Sequence, residues 1–172
     1  TLFNSVKRNI GIAPFAKHEE KMYPLAKMKT VVKKIWGNKQ YQVFLLGGGK
    51  NETNILNEWE KEFPGINNLA GKFSFKEELA IISNMDTLIS MDSANMHLAS
   101  LFGVPVISVW GATHPFAGFY GWAQPADNAV QIDLYCRPCS VFGNKPCYRG
   151  DHACMQQLPE EKIMEKVMNI IR

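Results

Sequence analysis

The stretch from Thr87 to Pro115, TLISMDSANMHLASLFGVPVISVWGATHP, restricts the fold of this chain more than any other. Thr87 to Met91 is a short apolar run of the kind buried in a parallel sheet. Asp92, Ser93 and Asn95 are N-cap residue types set just ahead of a helical run, His97 to Phe102. Gly103 stops that helix, and Pro105 to Val109 reads as the next strand. The connection is too long for a hairpin and short for a βαβ unit, and a parallel pair is the expectation. Where the first strand gives way to the helix, unpaired backbone N–H groups and the helix dipole make a natural anion site.

The rest of the chain repeats this alternation. Asn9 to Ala13 is a short apolar strand closed by Pro14, and a polar loop from Phe15 to Met22 follows, carrying Lys17, His18, Glu19, Glu20 and Lys21. Pro24 opens a helix where its missing N–H costs nothing. Leu25, Met28, Val31, Val32 and Ile35 form the helix's apolar face, with Lys27, Lys29, Lys33 and Lys34 on the wet one. Tyr41 to Leu46 is a second strand running into Gly47, Gly48 and Gly49, which either admit a ligand close to the backbone or make a plain turn. The spacing G-x-G-x-x-G is absent, so this is no dinucleotide fingerprint. Asn51 or Thr53 is expected to cap a helix through Lys61. Asn67 to Ala70 reads as a third strand, and Ser74 with Glu77 has the spacing of a capping box for a helix whose Leu79, Ile81 and Ile82 pack inward. Phe116 to Trp122 is an aromatic, glycine-rich loop, Val130 to Ile132 a last strand, and Pro159 to Ile171 a closing amphipathic helix.

That order predicts a doubly wound, mostly parallel, Rossmann-like α/β sheet. Its ligand edge lies at the carboxyl ends of the strands, where the loops around Lys21, Gly48, Phe73, Asp92 and Thr113 gather. At 172 residues, 46% hydrophobic and 20% charged, the chain suffices for one domain with a sizeable core, residues 1–172. A net charge of +3 is mild, and no basic tract interleaved with aromatics argues for nucleic acid. No apolar run has transmembrane length and no signal peptide opens the sequence. The start at Thr1 leads us to expect a fragment of a longer protein. Cys136, Cys139, Cys147 and Cys154, with His152 among them, allow either a tetrahedral metal site or free or partly oxidised thiols, which leaves pairing open. The second half lacks the repeated C-x-x-C knuckle, and no metal ligands are assigned.

Asp92-Ser-Ala-Asn-Met-His97-Leu-Ala99, then Gly103-Val-Pro105 and Trp110-Gly-Ala-Thr-His-Pro115, resembles the donor-site signature of the heptosyltransferase-type glycosyltransferases, family 9. Ala94 stands where that family usually has glycine, and Asn95 where proline is frequent. The resemblance implies the C-terminal half of a two-domain GT-B glycosyltransferase that transfers a heptose-type sugar, with inversion, from an ADP-sugar to a lipopolysaccharide core or related acceptor. It implies that Asp92, Ser93, Ala94 and His97 hold the donor, with Gly48 close to it. Lys21, in Lys21-Met-Tyr-Pro24, would meet the diphosphate, the alternative being an exposed lysine in a charged loop. Glu52 would bond the ribose, or else merely favour its helix dipole. Phe73 would lie against the base, or else be a buried loop residue. The ADP-sugar is a substrate, so no cofactor is expected. The glycolipid acceptor and the general base would belong to the missing N-terminal domain, and no catalytic residue is assigned here. A cytoplasmic location, peripheral at the inner membrane face, goes with such an acceptor. A nucleotide-sugar epimerase domain and a non-catalytic nucleotide-sugar-binding module remain alternatives; a dinucleotide-dependent oxidoreductase is disfavoured by the missing glycine fingerprint.

Overall fold

A computed structural model describes residues 2–171. Six strands alternate with helices: β1 (Arg8–Ala13), α1 (Leu25–Trp36), β2 (Tyr41–Leu45), α2 (Gly49–Glu62), β3 (Asn67–Asn68), α3 (Phe75–Ile82), β4 (Thr87–Met91), α4 (Ala94–Leu101), β5 (Val106–Val109), β6 (Ala129–Val130), α5 (Ala153–Gln156) and α6 (Glu160–Ile170). They form one sheet in the order β3-β2-β1-β4-β5-β6. Every pairing is parallel, and β1 registers Ile10 against Val43 on one side and Thr87 on the other.

Both faces of the sheet are covered, which is why the central strands read as unbroken apolar runs; all five residues of β4 are buried. One face sets Ile10, Ile12, Val43, Leu45, Ile89 and Ile107 against Met28, Val31 and Ile35 of α1, Leu56 of α2 and Ile163 and Val167 of α6. The other sets Phe44, Leu88 and Val106 against Ile81 and Ile82 of α3 and Met96 and Ala99 of α4. A Cβ at Gly11 would overlap Met85 and Leu88, so the glycine in β1 lets the α3–β4 turn close onto the sheet. The C-terminal segment is tied back to α1 and the residues just before it: the Tyr23 hydroxyl donates to the Leu158 carbonyl at 2.8 Å, and Lys34 pairs with Glu161 at 2.7 Å.

Several ends differ from the sequence expectation. Helix α2 starts at Gly49, before Asn51 and Thr53, and its N-cap is Gly48 with no side-chain cap. Gly49 has φ +74°, a left-handed conformation that only glycine adopts freely, and this lets the helix begin inside the glycine run. Helix α4 starts at Ala94, three residues before His97, with Ser93 as N-cap. Strand β3 is only two residues long, although the Leu69 N–H still donates to the Leu45 carbonyl. Strand β6 is Ala129–Val130, and Ile132 packs as a loop residue against the core. The capping box at α3 is as expected, with the Ser74 N–H donating to Glu77 Oε2 at 2.8 Å and the Glu77 N–H to Ser74 Oγ at 3.4 Å. Because all strands point the same way, six loops open on one edge.

Candidate functional site

A cleft of about 870 Å³ runs along that edge. The loop after β1 contributes Phe15 to His18 and Lys21; the segment after β2 contributes Leu46 to Gly49 and Glu52. Gly71, Phe75 and Glu78 come from the β3–α3 region, and Asp92 to Asn95, His97 and Leu98 from the β4–α4 junction. Phe119, Val141 and Phe142 close the far end. Sheet order thus lays out the cleft: an apolar wall at Phe75, cations and helix starts in the middle, and a second apolar wall at Phe119 and Phe142, whose rings lie 5.5 Å apart.

Lys21 and Asp92 meet at the centre. Lys21 Nζ lies 2.8 Å from Asp92 Oδ2, with the side chains 16% and 5% exposed. Thr113 Oγ1 donates to the same oxygen at 2.8 Å. Lys21 is therefore not the free surface lysine that the charged loop allowed. Asp92 Oδ1 has no hydrogen-bond partner among the described residues, and Asp92 is one of the residues lining the cleft. Asp92 caps nothing; Ser93 holds the N-cap position, its hydroxyl 3.1 Å from Ser90 Oγ rather than on the helix. The first N–H groups of α4 consequently have no side-chain cap, and the positive end of the helix dipole opens on the cleft at Ala94 and Asn95. The His97 side chain lines the cleft one turn on and makes no hydrogen bond among the described residues.

On the α2 side, the Gly48 N–H donates to Glu52 Oε2 at 2.8 Å, leaving the second carboxylate oxygen for another donor. A Cβ at Gly47 would stand 2.9 Å from Leu56 Cδ1, whereas nothing lies within 4 Å of one at Gly48, where the backbone is open to a ligand.

Seven of the eight sequence candidates, Lys21, Gly48, Glu52, Asp92, Ser93, Ala94 and His97, come together here. The eighth does not: Phe73 is half-buried, packs against the core on the α3 and α4 face of the sheet, and is not among the residues that line the cleft. Phe75, 62% exposed, takes the wall position instead. Periodicity gave no signal for it, because Phe75 stands two helical turns before Ile82 and so on the same face of α3. Glu78, one turn along, also escaped the sequence reading; burial pushes its carboxyl above the ordinary range. The four cysteines are free, and among the described residues no three His, Cys, Asp or Glu side chains assemble into a metal site. Arg137, next to Cys136, donates to the backbone carbonyls of Gly111, Ile132 and Thr113, the last at 3.0 Å, and to the side-chain Oε1 of Gln131 at 2.8 Å.

Comparison with known proteins places the chain in a family and a fold. The profile of glycosyltransferase family 9 (heptosyltransferase) matches residues 1–146. A lipooligosaccharide heptosyltransferase 2 of Campylobacter jejuni is 28% identical over 139 residues, which are 78% of this chain and 42% of that protein. Among solved structures, the E. coli ADP-heptose LPS heptosyltransferase II superposes with TM-score 0.74 at 18% identity, over 97% of this chain and 47% of its own. The E. coli heptosyltransferase WaaC with ADP-2-deoxy-2-fluoro heptose gives TM-score 0.71 at 16% identity, over 95% and 44%. The chain thus spans less than half the length of these relatives. With the fold, the donor-site signature and a family profile covering most of its length in agreement, the chain belongs to glycosyltransferase family 9, the heptosyltransferase family.

Proposed function

We propose that residues 1–172 are the C-terminal, donor-binding domain of an inverting heptosyltransferase, which takes an ADP-activated heptose as substrate and delivers the sugar to a lipopolysaccharide core or related glycolipid. One observation carries this reading: the cleft holds a clasped lysine and the uncapped start of α4 at its centre, between two apolar walls. A nucleotide diphosphate sugar has the same pattern, a flat apolar base at one end and two phosphates in the middle. The reading draws further support from the family and from the ADP-heptose analogue held by the WaaC relative.

In such a transfer the acceptor oxygen attacks the anomeric carbon from the face opposite the diphosphate. The bond to the diphosphate breaks, and its electron pair leaves with the phosphate oxygen. This chain's part is to stabilise that growing charge. Lys21, the Ser93 hydroxyl and the N–H groups of Ala94 and Asn95, all in residues that line the cleft, would meet that charge. Asp92 Oδ1 and His97 would meet hydroxyls of the sugar, and the free oxygen of Glu52 a ribose hydroxyl. Phe75 would face the base. The proton of the acceptor hydroxyl goes to a base in an N-terminal domain, which also holds the glycolipid. No separate cofactor enters this scheme. The setting would be cytoplasmic, peripheral at the inner membrane face; no helix among the described residues is long and apolar enough to cross a membrane.

Titration calorimetry of this chain with ADP, UDP and NAD tests the reading. ADP should bind weakly and in preference to the other two, with no heptose transfer by the chain alone. Tighter binding of NAD, or no ADP binding, would overturn it.

A further inference from the structure

We propose that Gly143 is a positioning residue for the Lys21 ammonium, and that the cysteine-bearing loop joins the anion site through it. The proposal rests on reading the cleft centre as a diphosphate site. The loop is pinned from beneath: the Cys139 N–H donates to the Ala112 carbonyl at 2.8 Å, and Arg137 donates to the Thr113 carbonyl at 3.0 Å. Within it, the Gly143 N–H donates to Ser140 Oγ at 2.8 Å.

These bonds lay the bare Cα of Gly143 along the stem of Lys21. A Cβ there would stand 2.7 Å from both Cγ and Cε of the lysine and 3.1 Å from Cδ. Those atoms are the body of the side chain, not its loose end. Its end is already held, by Asp92 Oδ2 at 2.8 Å, while Thr113 holds Asp92. A methyl group there would press on the lysine stem while Asp92 holds its ammonium, so the clasp and the methyl compete for the same side chain. Gly143 also has φ +69°, so the loop needs glycine for its backbone as well as for the contact. A lysine clasped along its stem has lost its rotamer freedom before the ligand arrives, and the anion need not order it. The loop between Arg137 and Cys147 thereby acquires a function that its thiols do not explain.

Two measurements on this chain decide the matter. Gly143→Ala should lower ADP affinity by roughly tenfold, the scale of one charge-assisted contact, and leave adenosine affinity within about twofold. A Lys21→Ala, Gly143→Ala double variant should then bind ADP no worse than Lys21→Ala alone, because both changes disable the same group. Equal losses for ADP and adenosine, or additive losses in the double variant, would overturn the proposal. Without ligand, the rate at which an amine-reactive ester labels Lys21, read by peptide mass spectrometry, should rise severalfold in Gly143→Ala and in Asp92→Asn. An unchanged rate in Gly143→Ala overturns the proposal whatever the ligand data say. Ser140→Ala keeps the glycine but frees its N–H, and should raise the labelling rate in the same direction without forcing the backbone. If the unsubstituted chain binds no ADP, the diphosphate reading falls, and the labelling rates still decide whether Gly143 holds Lys21.

Discussion

Lys21 and Asp92, 71 residues apart, form an ion pair of 2.8 Å that joins the loop after β1 to the end of β4 across two neighbouring strands. The carboxylate is nearly inaccessible and the ammonium mostly covered, so each is the main compensation of the other's charge. Removing one partner of such a pair leaves a buried charge behind, whereas removing both does not. Lys21→Met should therefore destabilise the chain by about 3 kcal/mol, with part of that recovered in the Lys21→Met, Asp92→Asn double variant. Urea unfolding of the two single variants and the double gives the coupling directly, and strictly additive losses would show that the pair carries no such energy.

Phe75 faces the cleft with most of its ring in solvent, so truncation should spare the fold and damage only the wall. Phe75→Ala is expected to change stability by less than about 0.5 kcal/mol. If the ring covers a base, ADP affinity should fall by roughly fivefold to a hundredfold, the range for aromatic–base stacking. Pyrophosphate affinity should not change. A parallel loss for pyrophosphate would place the base elsewhere.

The His97 ring meets the cleft and has no hydrogen-bond partner among the described residues. Its ring resonances should move as ADP saturates the site. Resonances that stay fixed through a complete ADP titration would remove His97 from the ligand contacts.

Asp151 lies far from this chemistry and gives a pH prediction for the cysteine loop. Its carboxylate accepts from Arg149 Nη2 at 2.7 Å and from the Ala153 N–H at 3.1 Å, at the start of α5. The arginine bond, then the backbone one, holds its pKa down from 3.8 to about 2. Because the folded value is the lower, the stabilisation is complete above pH 3.8 and is lost as the pH falls toward 2. Carboxyl NMR across that range should find Asp151 titrating near the bottom of it; a midpoint at the ordinary value would dissolve the bridge.

Gly11 reports on the sheet itself. Gly11→Ala puts a methyl into space held by Met85 and Leu88, and overpacking of this kind should cost about 1–3 kcal/mol. Thermal unfolding measures it, and an unchanged midpoint would mean that the α3–β4 turn can move aside.

The sequence alone determined the alternation of strands and helices, the Ser74 capping box, a helix after β4 and the edge on which the motifs fall. Each of these is a local matter, set by side-chain periodicity, capping chemistry and glycine placement within a few residues of chain. The family signature is equally local, since its residues cluster around one strand–helix junction. The tertiary structure decided the rest. That Lys21 is clasped depends on β1 lying beside β4, and that Gly143 roofs it depends on where the loop after β6 returns. Phe73, in the loop, and Phe75, at the first position of α3, stand two residues apart, and composition treats them alike. Only the packing of α3 against the sheet turns the first onto the core and leaves the second on the cleft wall. The start of α2 at Gly49 was likewise hidden, because a helix capped by backbone geometry rather than by a side chain leaves no Ser, Asp or Asn to mark it. Contacts between residues 71 and 122 positions apart carry no periodic trace along the chain, since their free energy arises only once the strands have taken their order.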